Sequence, residues 1–180
     1  MSRTIRIATT SLATLEDTAP PFNLRHPDPA ANLDLGLSLL ETAGEQGVDL
    51  ACLPEGFMAA GLPLSEASSL AQPIPGPAFD AVAERARRYK MNVVAGFYAL
   101  ADGGVHNVAA LIDRTGHLVG TYSKNHPTEL EVDGGVTPGS DVVVLETDFG
   151  RLGLAICFDL NWQPFWNALA QQQADVVCWI

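Results

Sequence analysis

The sequence predicts an α/β protein with a mixed β-sheet and flanking helices. Short apolar runs, typical of strands covered on both faces, alternate with amphipathic helical segments. Near the middle of the chain, strand-like segments follow one another with only short turns between them, which indicates a β-meander. The 180 residues are 47% hydrophobic and 17% charged, and no linker or internal repeat divides them. We therefore expect one domain over residues 1–180.

The first part of the chain predicts a strand, a loop, a helix and a second strand. A short strand is expected over residues 5–9, followed by a proline-rich loop over residues 19–29. Leucines at three- and four-residue steps predict a helix over residues 30–46, which Gly47 is well placed to end. The nearly continuous apolar run over residues 48–53 then predicts a buried strand.

The middle of the chain predicts a helix and the meander. We expect a loop over residues 61–76, then a helix over residues 77–89, whose first position is a proline. Three strands follow, separated by turns that contain glycine. Their predicted ranges are 92–100, 105–113 and 117–123.

The last part of the chain alternates again between strand and helix. A polar loop is expected over residues 124–139, and strands are expected over residues 142–146 and 152–156. A helix over residues 164–172 and a strand over residues 175–180 complete the pattern.

Composition excludes several classes of protein. A net charge of −11 with only ten lysines and arginines argues against a nucleic-acid surface. No apolar run is long enough to span a bilayer and no signal peptide is recognised, so we expect a cytoplasmic protein. Neither a G-x-G-x-x-G motif nor a P-loop occurs, which disfavours a nucleotide-binding domain. The histidines are scattered without metal-ligand spacing, so we predict no metal site.

The three cysteines predict neither a disulfide framework nor a zinc site, because their number is odd and no C-x-x-C pair occurs. Cys52 and Cys178 lie in apolar runs and are expected in the core. Cys157 ends a predicted strand just before a helix, a position that lowers a thiol pKa and favours a nucleophile. The alternative for Cys157 is a small, buried and unreactive side chain.

Three predicted strands end on a residue with reactive chemistry, namely Glu55, Lys124 and Cys157. In α/β sheets, sites collect just outside strand ends, so these side chains could meet. A thiolate that attacks, a carboxylate that moves protons and an ammonium that holds an oxyanion suffice for acyl transfer. Taken singly, Glu55 could equally be an ordinary loop acid and Lys124 a solvated lysine.

The sequence around these three residues resembles the nitrilase, or carbon–nitrogen hydrolase, superfamily. The segments that carry the resemblance are Leu-Pro-Glu at residues 53–55, Tyr-x-Lys-x-His at residues 122–126 and Gly-x-x-Ile-Cys-Phe-Asp at residues 153–159. Their order and spacing match the family pattern, and the similarity extends over nearly the whole chain.

The resemblance implies a role for each of these residues. Cys157 would attack an amide or nitrile carbon and form a thioester or thioimidate. Glu55 would be the general base, and Lys124 would stabilise the oxyanion together with the backbone N–H of Phe158. No cofactor is implied, and the expected partner is a small amide-type substrate.

Further residues follow from the same resemblance. Many members have a second glutamate after the lysine, for which Glu131 is our candidate and Glu129 the alternative. Trp162 stands in a segment that departs from the family pattern and is expected, with Phe158, to contact substrate. The Cys-Trp-Glu of nitrilases proper is absent, which favours an amidase or carbamoylase over a nitrile hydrolase.

The resemblance also implies a four-layer α-β-β-α sandwich and a homo-oligomer. Family members are considerably longer, so the C-terminal part of the sandwich is expected to be missing from these 180 residues. An alternative function is therefore a catalytically inactive binding or assembly module of the same fold.

Overall fold

A computed structural model describes residues 4–12 and 28–180 of the protein. The described residues form eight strands: β1 (Ile7–Thr9), β2 (Leu50–Cys52), β3 (Asn92–Ala101), β4 (Gly104–Ile112), β5 (Leu118–Ser123), β6 (Val144–Thr147), β7 (Gly150–Ala155) and β8 (Val176–Trp179). The α-helices of this part of the chain are α1 (Pro29–Glu45), α2 (Leu64–Ala67), α3 (Pro77–Tyr89), α4 (Glu129–Asp133) and α5 (Gln163–Gln171).

The strands form two mixed sheets. In the five-stranded sheet the order is β1-β2-β3-β4-β5, with parallel pairing from β1 to β3 and antiparallel pairing from β3 to β5. In the second sheet β7 pairs antiparallel with β6 and parallel with β8. The predicted α/β class, its mixed pairing and the meander are thus confirmed.

Successive side chains of the buried strands point to opposite faces of the sheet and therefore pack into two different apolar layers. In β3, Val93 packs with α1 and α3, whereas Val94 packs with residues of β7 and β8 between the two sheets. On the outer side of the second sheet, α5 lies so close to β7 that a Cβ on Gly153 would come within 2.9 Å of Leu169. The layers are therefore helix, sheet, sheet and helix, as the resemblance implied.

Two of the predicted loops contain short helices that the sequence prediction missed. Within residues 61–76 lies α2, followed by a 3₁₀ turn at Ser68–Leu70. Within residues 124–139 lies α4, whose start has a local signal in the Thr128-x-x-Glu131 capping box.

The chain after β7 does not continue directly into a helix. A 3₁₀ turn at Cys157–Asn161 separates β7 from α5. Residues 19–27 of the predicted proline-rich loop lie outside the described residues.

Within the described ranges, none of the helices has the length and apolar character needed to cross a bilayer.

Candidate active site

The three reactive residues predicted at strand ends lie around one cavity. Glu55 follows β2 and Lys124 follows β5, both in the five-stranded sheet, whereas Cys157 follows β7 of the second sheet. The Lys124 Nζ atom lies 2.7 Å from Oε1 of Glu55, and all three residues line a cavity of about 290 Å³. Packing of the two sheets thus places a thiol, a carboxylate and an ammonium side by side.

The position of Glu55 depends on a glycine in the neighbouring strand. A Cβ on Gly96 would lie 2.6 Å from the carbonyl oxygen of Pro54 and from Cα of Glu55. Only glycine therefore allows the backbone at Glu55 to pass so close to β3. The N–H of Leu53 donates to the carbonyl of Val94 at 2.9 Å and extends the pairing of β2 up to this point.

Lys124 is not the solvated lysine that its local sequence allowed. Its side chain is only 1% exposed, and its ammonium donates to Glu55 and to Oε2 of Glu131 at 2.7 Å each. Although burial opposes the charged form, the negative charge of Glu55 and the hydrogen bonds to both carboxylates raise the pKa of Lys124 above its ordinary value. The lysine is therefore a fixed cation.

Of the two candidate glutamates in the following segment, the structure brings Glu131 to Lys124. Glu131 is buried, whereas Glu129 is exposed on the same helix, α4. The N–H and hydroxyl of Thr128 donate to Oε2 of Glu131 at 2.8 and 2.9 Å. Burial opposes ionisation, but hydrogen bonds from Lys124, Thr128 and Asn107 lower the pKa of Glu131 below its usual value, so it is a carboxylate at neutral pH.

Asn107 is a site residue that the sequence analysis missed. Its Nδ2 group donates to Oε1 of Glu55 at 2.6 Å and to Oε1 of Glu131 at 2.8 Å. The residue is fully buried in β4, and its backbone carbonyl accepts the N–H of Lys124 at 2.8 Å. The sequence did contain one signal of a functional role for Asn107, because this polar residue stands beside an otherwise apolar strand segment.

The backbone of Cys157 has an unusual conformation. Its φ angle is +37°, in the left-handed region that residues with a side chain adopt at a cost of roughly 1–3 kcal/mol. Strand β8 and the residue after it hold this conformation. The Cys157 N–H donates to the carbonyl of Ile180 at 2.7 Å, and its carbonyl accepts Nε1–H of Trp179 at 2.9 Å. Cys157 is exposed and therefore not the buried core side chain of the alternative interpretation.

The predicted lowering of the Cys157 pKa is wrong. Partial desolvation, together with the charge of Glu55 and a hydrogen bond to it, raises this pKa to about 11, although the charge of Lys124 acts in the opposite direction. The residue begins a 3₁₀ turn rather than a long helix, and the carboxylate of Glu55 lies beside the thiol. At neutral pH the resting side chain is thus a thiol, with a proton acceptor next to it.

Phe158 and Trp162, predicted to contact substrate, lie near Cys157 in sequence but not in the lining of the 290 Å³ cavity. Trp162 stacks on the ring of His126 with a centroid distance of 4.1 Å. Phe158 packs edge-on against Trp162 at 5.2 Å, and both side chains are partly exposed. Their contact with substrate stays a prediction.

The remainder of the cavity lining is small or apolar. It consists of Gly56, Ala59, Ala60, Gly61, Leu62, Ala67, Tyr98 and Thr128. Among residues 4–12 and 28–180, no cluster of three or more histidine, cysteine, aspartate or glutamate side chains could hold a metal ion. A thiol, a carboxylate and an ammonium that line one cavity are the types of group that acyl transfer requires.

The chain is similar in sequence to one protein family and to several known proteins. The model of the family described as carbon-nitrogen hydrolase matches residues 11–180. A Mycobacterium tuberculosis protein named as a hydrolase is 30% identical over 160 residues, which cover 83% of this chain and 55% of that protein. A deaminated glutathione amidase from Synechocystis is 28% identical over 170 residues, 84% of this chain and 60% of the relative. The chain thus spans a little over half the length of these relatives.

Solved structures share the fold. An amidase from Nesterenkonia sp. superposes with a TM-score of 0.80 at 24% identity, over 97% of this chain and 64% of the amidase. A cysteine mutant of that amidase, in complex with butyramide, superposes equally well at 23% identity, over the same shares of the two chains.

Proposed function

Because the chain belongs to the carbon–nitrogen hydrolase family, we propose that the protein hydrolyses the carbon–nitrogen bond of a small amide through a covalent intermediate on Cys157. The observation that carries this proposal is the contact between Lys124 and Glu55 beside the exposed thiol of Cys157. The raised thiol pKa fits a nucleophile that forms only when a neighbouring base removes its proton.

In the first half of the proposed reaction, Glu55 accepts the thiol proton while the sulfur attacks the amide carbon. The carbonyl oxygen becomes an oxyanion, which the ammonium of Lys124 and the N–H of Phe158 stabilise. Collapse of this tetrahedral intermediate breaks the carbon–nitrogen bond. The nitrogen leaves as ammonia or an amine with the proton from Glu55, and a thioester remains on Cys157.

In the second half, Glu55 activates a water molecule, which attacks the thioester carbon. The acid product leaves and the thiol is restored, so no cofactor is consumed. Glu131 does not exchange protons with substrate in this scheme. It accepts a hydrogen bond from the ammonium of Lys124 at 2.7 Å and favours the charged form of the lysine.

Ammonia release from butyramide tests the proposal. We expect Cys157→Ala to reduce turnover by at least roughly 1,000-fold, because the nucleophile is lost. Cys178→Ala is the matched control, since it removes a buried thiol outside the cavity and should retain activity. Butyronitrile, tested in parallel, distinguishes amide from nitrile hydrolysis.

Thiol labelling provides a second measurement. Iodoacetamide should modify Cys157 faster than the buried Cys52 and Cys178, as followed by peptide mass spectrometry. Equal labelling of the three thiols would argue strongly against a reactive Cys157. A folded protein without turnover on any amide or N-carbamoyl compound would instead favour the inactive binding module.

Homo-oligomeric assembly, which the family resemblance implies, and a cytoplasmic location, which the sequence analysis led us to expect, complete the proposal. Light scattering of the purified protein tests the first, since the mass of one chain is 19.1 kDa.

A further inference from the structure

Two buried thiols face each other between the two sheets. Cys52 lies in β2 of the five-stranded sheet and Cys178 lies in β8 of the second sheet, and each residue is 7% exposed. Their sulfur atoms are 3.1 Å apart, although 126 positions separate the two residues in the sequence. Neither cysteine belongs to the described lining of the 290 Å³ cavity, so the proposed hydrolysis makes no use of this pair.

Backbone pairing holds both cysteines in place. Cys52 pairs with Val94 of β3, and its carbonyl accepts the N–H and the hydroxyl of Thr10 at 3.1 and 2.8 Å. Cys178 pairs with Leu154 of β7. The contact between the two sulfur atoms is therefore part of the packed fold and requires no movement of a loop.

The position of the pair suits a covalent bond between the sheets. The side chains meet from two sheets packed face to face, an arrangement in which antibody domains contain an inter-sheet disulfide. Bonded sulfur atoms lie about 2.05 Å apart, so the two sulfurs have to approach by only about 1 Å from their 3.1 Å contact. Small rotations of the two side chains can supply most of this movement.

We propose that Cys52 and Cys178 are a site of oxidative modification, at which a peroxide converts the thiol pair into a disulfide that cross-links the two sheets. One sulfur attacks a peroxide oxygen, becomes a sulfenic acid and releases one molecule of water. The second sulfur then attacks the sulfenic sulfur and forms the S–S bond, and the hydroxyl group leaves with the remaining thiol proton as a second water. The thiols lose two electrons and two protons, and hydrogen peroxide is reduced to two molecules of water.

At rest the pair is reduced. The hydrogen bond with Cys52 and burial raise the pKa of Cys178 above that of an ordinary thiol, and cytoplasmic reductants keep thiols reduced. Reaction with peroxide is therefore slow. A sulfenic acid on either residue nevertheless has the second sulfur in contact with it, so the cross-link forms ahead of further oxidation or of pairing with another chain.

Mass spectrometry of Cys157→Ala tests the proposal, because this variant retains only the two thiols of the pair. Hydrogen peroxide is applied to the native protein until N-acetylcysteine in a parallel sample is fully oxidised. We expect a loss of about 2 Da, the mass of two hydrogens, and one cross-linked peptide that dithiothreitol separates. An unchanged mass, addition of oxygen or disulfide-linked dimers would each overturn the proposal.

The wild-type protein is treated in parallel, so the result does not depend on the folding of the variant. Its peptide map should join Cys52 to Cys178, and a disulfide that contains Cys157 in their place would also contradict the proposal.

Urea unfolding measures the effect of the cross-link. A disulfide between residues 126 positions apart restricts the unfolded chain. The midpoint of oxidised Cys157→Ala should therefore lie roughly 1 M or more above that of the reduced form. Adding Cys178→Ala to this variant leaves one thiol, and peroxide should then leave the midpoint unchanged. An equal or lower midpoint for the cross-linked protein would show that the bond does not lock the sheets together and would overturn the inference. Neither measurement uses amide turnover, so both are independent of the proposed function.

Discussion

At the scale of single residues, Glu55 affects Cys157 in two opposing ways. Its negative charge and its hydrogen bond contribute to raising the thiol pKa to about 11, after desolvation, which is the larger cause. The same carboxylate is the proposed acceptor of the thiol proton. A thiol kept protonated at rest is protected from side reactions, and its proton can move directly to Glu55 when substrate arrives.

Replacing Glu55 therefore has a specific expected result. Glu55→Gln removes a negative charge that disfavours the thiolate, so the pKa of Cys157 should fall below about 11. Amide turnover should nevertheless decrease by at least roughly 100-fold, because the base is lost. The rate of iodoacetamide labelling as a function of pH gives the pKa, and ammonia release gives the turnover.

The control for this experiment is Glu129→Gln, which removes an exposed carboxylate of α4 and should change neither quantity. An unchanged or higher pKa in Glu55→Gln would show that Glu55 does not control the thiol.

At the scale of secondary-structure elements, Asp159 joins the two segments that hold Lys124 and Cys157. This fully buried carboxylate accepts the N–H of Ile156 at 3.0 Å and the hydroxyl of Tyr122 at 2.7 Å. It also accepts the N–H of His126 at 3.1 Å and lies 2.9 Å from the same residue's Nδ1. The turn after β7 is thereby fixed against the end of β5, so the thiol and the ammonium keep their spacing.

We expect Asp159→Asn to loosen this connection. An amide keeps the shape of the side chain but has one acceptor oxygen fewer, which leaves buried donors unsatisfied. The free energy of unfolding should decrease by about 2–4 kcal/mol. Turnover of the folded enzyme should fall roughly tenfold or more, because misplacing the nucleophile weakens attack.

Urea unfolding and ammonia release at a temperature where the variant is fully folded measure the two effects separately. Asp133→Asn, an exposed position in α4, is the matched substitution and should leave both unchanged. Full turnover in folded Asp159→Asn would restrict the residue to a role in stability.

At the scale of the whole molecule, the site exists because two sheets pack against each other. Besides the apolar layer, Sγ of Cys52 in β2 and Sγ of Cys178 in β8 lie 3.1 Å apart between the sheets. Both cysteines are buried there, as the sequence predicted. Arg114 adds a polar connection, since its guanidinium donates to Asp49 before β2 at 2.8 Å and to Asp148 in the β6–β7 turn at 3.0 Å.

Removing this polar connection should destabilise the protein. Arg114→Met leaves Asp49 and Asp148 without a shared partly buried cation, and we expect the free energy of unfolding to decrease by about 1–3 kcal/mol. Urea unfolding measures this difference. Arg87→Met, on the exposed end of α3, changes the net charge equally and should cost much less. Similar losses in the two variants would mean that the contacts of Arg114 do not join the sheets energetically.

Local patterns in the sequence determined a large part of this description. Apolar periodicity located α1, α3 and the strands, since each pattern depends on neighbouring residues only. Motif order brought Glu55, Lys124 and Cys157 together as a hypothesis. The short helix α4 could also have been predicted, because the capping box at Thr128 and Glu131 is a local signal.

Only the tertiary structure decided the properties that depend on distant residues. The bridging role of Asn107 arises from contacts with Glu55 and Glu131, which are 52 and 24 positions away. The raised pKa of Cys157 likewise depends on Glu55 across the two sheets. A proton's affinity for a side chain depends on nearby charge and water, and both are set by packing rather than by sequence neighbours. The chain sequence thus specified the reactive groups, and sheet packing decided their protonation, charge balance and contacts.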